Sequence, residues 1–207
     1  MSKISDTSIL YENVVLGENS EVGDFVLLGV PPTNFKPGDI GTRIGVGALI
    51  RSHSVIYAGN LIGINFQSGH AVMIREYNTI GDNVSVGTHS IIEHHVKIGD
   101  NVRIHSGAFI PEYSILDDGV WVGPKVTFTN AVYPLSRSAK SSLKGPHLMA
   151  GAKVGANATL LPGITIGMNA LIGAGSVVVE DVPDGKVVVG NPARIIRDIK
   201  ELTAYQD

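Results

Sequence analysis

The sequence predicts an all-β chain of short stacked strands, and three observations carry the prediction. An aliphatic residue returns at every sixth position, glycine, asparagine and aspartate recur between the returns, and no helical period competes with the beat. From Ile44 the beat falls on Ile50, Ile56 and Ile62, then on Ile74, Ile80, Val86, Ile92, Ile98, Ile104, Ile110, Leu116, Val122 and Phe128, with Ser68 the one polar exception. It is already present in Leu16, Val22 and Leu28 and resumes at Val154, Leu160, Ile166, Ile172 and Val178. A helix requires a period of about 3.6 residues, whereas positions six apart face the same side of a strand. A hexad therefore reads as one short strand plus a corner, with the "IGDN" at Ile80 and again at Ile98 supplying the corner's unusual backbone angles. Two residues before most beats stands a small or neutral side chain, as in Ala48, Ser54, Ser90, Ala108 and Ser114, so stacked hexads bury one aliphatic column per face.

Two segments interrupt the beat, at 29–39 and 129–147, and both read as loops ejected from a rigid scaffold, where function concentrates. The repeat domain thus covers 1–190. In 191–207, Asn191 and Pro192 stand at a helix-start position and Ile195, Ile196, Ile199 and Leu202 follow at helical spacing, which predicts a short C-terminal α-helix capping the stack.

Composition narrows the function. The 207 residues are 43% hydrophobic and 17% charged, as in ordered globular proteins. The absence of cysteine removes disulfides and thiol intermediates, and the net charge of -3 argues against a general nucleic-acid binder. No apolar run nears the roughly 18 residues of a membrane span, and "MSKISDTSIL" lacks the features of a signal peptide, so a soluble cytoplasmic protein is expected. Charge is unevenly spread. Gly119 to Val179 holds no Asp or Glu but carries Lys125, Arg137, Lys140, Lys144 and Lys153, a stretch suited to a polyanion.

The hexad pattern resembles the left-handed parallel β-helix of hexapeptide-repeat acyltransferases, over nearly the whole chain. That resemblance implies triangular coils of three hexads, or 18 residues, and about eight coils forming a prism roughly 35 to 40 Å long. With an 18-residue coil, residues 18 apart become stacked neighbours. One corner then stacks Glu76, His94 and Glu112, with Arg75 and Glu93 beside them and Tyr77, His95 and Tyr113 on the other side. A second corner stacks His70, Thr88 and Ser106, with His105 adjacent. The third holds Asp82, Asn83, Asp100, Asn101 and Asp118 and reads as plain solvent-facing turns. An imidazole held by a carboxylate is a good general base near neutral pH.

Within the family, "SIIEHHVKIG" resembles the segment that carries the catalytic base of bacterial nucleotide-sugar N-acetyltransferases, with His94 at the base position. The next residue departs from the pattern, being His95 rather than an acid, so the orienting carboxylate must come from Glu76, Glu93 or Glu112. "VWVGPKVTFTNAVYP" is similar to a segment of enzymes that acetylate nucleotide-linked deoxyamino sugars for polysaccharide synthesis. Gly123, Pro124, Phe128, Thr129, Asn130 and Pro134 match, while Leu135 replaces an arginine and Arg137 lies two residues on. His105 occupies the place one coil earlier where the family carries groups near the reacting amine, making it a second base candidate. The resemblance implies a homotrimer with interfacial sites, acetyl-CoA as cosubstrate and no resident metal. On this reading His70, Arg75, Ser106, Asn130 and Tyr133 are expected at the acceptor, and the cations of the acid-free stretch, Lys125, Arg137, Lys140, Lys144 and Lys153, at the phosphates of CoA or a nucleotide. Three alternatives accompany this reading: acetylation of a sugar or serine hydroxyl, a γ-class carbonic anhydrase-like zinc enzyme built on His53, His89 and His94, and a non-catalytic scaffold. The zinc reading is opposed by phase, since His89 and His94 stand at different offsets from their beats and a one-residue slip reverses the face.

Overall fold

The hexads fold into a triangular parallel β-solenoid, described over residues 1–205 of a computed structural model. Almost every beat is the second residue of a two-residue strand and points inward, while the residue before it points out. Three parallel sheets result. The first face runs from Lys3–Ile4 through Gln67–Ser68, Ser85–Val86 and Arg103–Ile104 to Lys186–Gly190. The second runs from Ile9–Leu10 through Met73–Ile74 and Ile91–Ile92 to Val177–Val178, and the third from Val14–Leu16 to Thr165–Ile166. Partners are 18 residues apart, as in Met73 with Ile91 and Ile74 with Ile92, so the coil length implied by the resemblance holds.

Each corner turns at the residue three after the beat. Asn65, Ala71, Tyr77, Asn83, His89, His95, Asn101, Gly107 and Tyr113 all have φ between 51° and 73°, the left-handed region. That explains the density of Gly and Asn there and places His89 and His95 on the backbone turn itself. The core is the stack of beats, Ile74, Ile92 and Ile110 on the second face among them, filled in by Ala48, Ala108 and Ala152. Buried polar groups are satisfied in ladders. Asn60 Oδ1 accepts from the Asn78 amide at 3.0 Å and Asn78 Oδ1 from the Val96 amide at 2.7 Å.

Two expectations are corrected. The first face stacks ten parallel strands rather than eight, roughly 43 Å of prism, because the solenoid already starts at Lys3 and continues past Val178 into Lys186–Gly190. The C-terminal segment is not an α-helix. Ala193–Asp198 is a strand that pairs antiparallel with Lys186–Gly190 and closes the open edge of the first face, followed only by two short 3-10 turns, Ile199–Glu201 and Thr203–Tyr205. Ile195 and Ile196 are about half exposed while Ile199 is buried, so the apolar spacing marks a hairpin and its turn rather than a helical stripe. The last two positions of the expected 191–207 cap lie outside the described residues.

Both loops leave the solenoid at the same edge. The first follows Leu27–Val30 and returns at Thr42–Ile44, and the second follows Thr127–Phe128 and returns at His147–Leu148. Each therefore spans the corner between the second and third faces, with five coil steps, about 24 Å, between them. Among the described residues no helix is long and apolar enough to cross a membrane.

Candidate active site

The corner between the second and third faces, bracketed by the two loops, is acidic and internally satisfied. Glu76 is buried and bidentate to Arg75, with Arg75 Nε donating to Oε2 at 2.9 Å and Nη2 to Oε1 at 3.1 Å. The same guanidinium reaches Glu93 at 3.5 Å and lies over the Tyr57 ring at 5.0 Å. Donating to the Glu76 carboxylate raises the Arg75 pKa further above its ordinary value. Burial pushes the Glu93 carboxyl up, against the pull of Arg75 and with the help of nearby Glu112. His94 and His95 are hydrogen-bonded, Nδ1 to Nδ1 at 2.8 Å, and His94 turns its Nε2 to Glu112 Oε1 at 3.8 Å. Glu112 accepts from Asn130 Nδ2 at 2.6 Å, one coil further on. Tyr77, His95 and Tyr113 stack with ring centroids 5.2 and 5.6 Å apart.

The 18-residue columns thus place Glu112 and Asn130 with His94, but Glu76 is committed to Arg75. Local reach explains the difference: a guanidinium on the adjacent residue offers two parallel N–H donors, which the imidazole one coil away does not match.

The corner between the first and second faces is cationic and open. A groove of about 290 Å³ runs along it between Arg51 and His105, with Gly69 and Gly87 as its floor. Those glycines are required, since a Cβ on either would stand 2.3 Å from the amide nitrogen of Thr88 or Ser106 in the next coil. His70, Arg103 and Ser106 also line it. His70 shares a hydrogen bond with Ser52 Oγ through Nδ1 at 2.8 Å. His105 lies under Trp121, ring centroids 4.7 Å apart, and its buried Nε2 has no hydrogen-bond partner among the described residues. Burial and then the charge of Arg103 push its pKa down, so the ring is neutral at physiological pH.

The cations expected at phosphates are not gathered in one chain. Lys125 sits at the first corner, its stem over Gly107. Arg137 and Lys140 are exposed on the second loop, as is Tyr133, and Lys144 ties the returning strand of that loop to the Asn130 carbonyl. Lys153 is elsewhere, donating to the Gly151 carbonyl at 2.8 Å beneath the Tyr205 ring, and burial lowers its pKa. His53 rests on Phe25 rather than near His94, and among the described residues no three His, Asp or Glu side chains converge to hold a metal. Arg51, Arg103 and Trp121 escaped the sequence reading; they stand in the outward strand and adjoining columns, which the same 18-residue period would have listed beside His105.

The third corner is a hydrogen-bond ladder. Asp82 Oδ1 accepts from the Ile64 amide at 2.9 Å, Asp100 from the Asp82 amide at 2.7 Å and Asp118 from the Asp100 amide at 2.8 Å.

The family model described as "Bacterial transferase hexapeptide (six repeats)" matches residues 79–112 and 145–179. The chain is 56% identical over 50 residues, 24% of its length, to the 2,3,4,5-tetrahydropyridine-2,6-dicarboxylate N-acetyltransferase of Clostridium perfringens, covering 21% of that protein. It is 38% identical over 87 residues, 40% of its length, to the galactoside O-acetyltransferase of Lactococcus lactis, covering 42% of that protein. These matches therefore span less than half of either relative. The crystal structure of a proposed acetyltransferase from Bacillus cereus superposes with a TM-score of 0.60 at 21% identity, covering 88% of this chain and 87% of that one, a likeness of fold. Residues 79–112 and 145–179 thus carry the bacterial transferase hexapeptide repeat, and the six-residue beat and three-sided 18-residue coil extend the same architecture along the described chain.

Proposed function

We propose that the protein transfers an acetyl group from acetyl-CoA to the amino group of a nucleotide-linked amino sugar, at sites assembled between subunits of a homotrimer. The observation that carries this reading is that both chemically equipped corners border the same apolar face. The outward column of the second face reads Ile9, Leu27, Val55, Met73, Ile91 and Phe109, then Thr127, Thr159 and Val177, and holds no charge, while the corresponding columns of the other two faces carry Lys3, Glu21, Arg103 and Lys153, and Arg43 and Lys97. A prism that buries this face against its neighbours leaves the first corner of one subunit beside the second corner of the next. His105 of one chain then meets His94, Glu112 and Asn130 of another.

In this reading the neutral His105 is the base. The ring nitrogen that is not buried under Trp121 takes a proton from the acceptor amine as the amine nitrogen attacks the thioester carbonyl. The C–N bond forms, the C–S bond breaks, and the CoA thiolate leaves to be protonated. Ser106, facing the same groove, supplies a donor to the developing oxyanion. The His94–Glu112–Asn130 chain positions the acceptor from the neighbouring corner. Lys125 and the loop cations Arg137, Lys140 and Lys144 meet the phosphates of CoA.

Acetylation of a hydroxyl is the second reading, favoured by the longer stretch matched in the galactoside O-acetyltransferase than in the N-acetyltransferase. Thiol release from acetyl-CoA, measured with nucleotide-linked amino sugars, galactosides and serine, tests both. Turnover only with amino sugars supports the proposal, turnover only with hydroxyl acceptors transfers it to the second reading, and no binding of acetyl-CoA overturns both.

A further inference from the structure

The groove at the first corner has a charge pattern that general-base chemistry does not explain. Its lining includes Arg51, Arg103, His70 and His105 and not one carboxylate. Arg103 has no ion-pair partner among the described residues. Arg51 is held in place: its Nη1 donates to the Ser68 carbonyl at 2.7 Å, and its backbone amide donates to Ser68 Oγ at 2.9 Å. This also accounts for the one polar residue on the aliphatic beat. Ser68 is fully buried where the period calls for Ile or Val, and its hydroxyl and carbonyl both serve Arg51. The hydroxyl at this core position fixes the Arg51 backbone, and the Ser68 backbone carbonyl holds the guanidinium at one end of the groove.

Arg51 and His105 are three coil steps apart, about 14 Å along the prism. The floor between them is bare backbone at Gly69 and Gly87, and Arg103 stands on the wall beside His105. At about 290 Å³ the groove lies near the lower end of small-molecule pockets, roughly 300 to 1,000 Å³. Two guanidiniums with planar N–H forks suit oxyanions, which accept two such bonds at once.

We propose that this groove is the acceptor's anion subsite: Arg51 and Arg103 bind a phosphate or carboxylate carried by the acceptor and hold its nucleophile at His105. The inference rests on the acetyltransferase reading for the word acceptor but stands on its own as an oxyanion site. Neutral sugars lack the group that both arginines require, so the groove selects an anionic acceptor over a simple glycoside.

Calorimetric titration of the full chain tests this with three probes: inorganic pyrophosphate, glutarate and CoA. The expected result is binding of pyrophosphate or glutarate that weakens about tenfold in Arg51→Gln and in Arg103→Gln, the loss of one charge-assisted pair, and is unchanged in Lys97→Gln on the third face. Tighter binding of pyrophosphate identifies a phosphate-bearing acceptor, and of glutarate a carboxylate-bearing one. Binding must also persist when CoA is saturating. Equal affinity in the double arginine variant overturns the proposal, as does displacement of pyrophosphate by CoA, which would give the groove to the donor. Failure of the chain to bind CoA while it still binds pyrophosphate through the arginines would remove the acetyltransferase reading and leave the anion site.

Discussion

The two corners that border the second face share one backbone geometry and one period, yet they carry opposite charge. At the corner between the second and third faces Arg75 is surrounded by Glu76, Glu93 and Glu112, and each titratable group there has a partner. At the corner between the first and second faces Arg51, Arg103, His70 and His105 face a groove without any carboxylate, and the buried nitrogen of His105 is unpaired. The solenoid thus fixes where side chains stand and leaves their chemistry free. Paired groups form a stiff, structural wall, whereas the His105 ring keeps an unmet hydrogen-bonding nitrogen beside a cationic groove, which is why the proposed mechanism puts the base there.

The comparison breaks first at His105. His105→Ala is expected to lower kcat/KM by about 10² to 10⁴ with the melting temperature little changed, the range for loss of a general base. Full activity in that variant, measured by thiol release, would reduce the open corner to surface. Arg75→Gln is expected to act the other way, on stability. It strands the buried Glu76 carboxylate and should cost about 1 to 3 kcal/mol in urea unfolding; an unchanged midpoint would show that the acidic corner is not held by its pairs.

A smaller effect concerns pH. His105 has a folded pKa below its unfolded value of about 6.5, so between the two the unfolded chain binds the extra proton and stability rises with pH. In the proposed mechanism the same depression favours the neutral form that a base requires. Arg103→Gln removes a neighbouring positive charge, so the acid limb of the kcat/KM profile should move to higher pH; a limb that stays in place would mean that another group limits the rate. Asp100→Ala marks the far end of the scale. The third corner lends only its ladder bond to the Asp82 amide, and the variant should lose about 0.5 to 1.5 kcal/mol of stability with kcat unchanged.

Much of the fold was readable because burial repeats: with one aliphatic residue per six and a left-handed backbone turn three residues later, Ile92 and His95 declare their own places. The 18-residue coil then brought Glu112 to His94 and Asn130 to Glu112. Reach between neighbours was not readable in the same way. The columns gave Glu76 to His94, but adjacent Arg75 takes it, since side-chain length and donor geometry decide among partners that spacing leaves equal. The open groove was written in the residues that look least informative, Gly69, Gly87 and the off-pattern Ser68, and it appears only when the columns beside the histidines are read as well. The C-terminal hairpin escaped for another reason. Four apolar residues at helical spacing are too short a pattern to outweigh the β-branched run Val187, Val188 and Val189, which pairs with Arg197, Ile195 and Arg194 across the turn.

The central claim is that one site needs His105 from one chain and His94 from another. Co-expressing His94→Ala chains with His105→Ala chains, and assaying thiol release from the mixed assemblies, tests it directly. Each single variant assembled alone should be impaired. The mixture should recover about a quarter of the wild-type rate, the share of interfaces at which random assembly pairs an intact His94 with an intact His105. A mixture no more active than the two variants assayed separately would contradict the account.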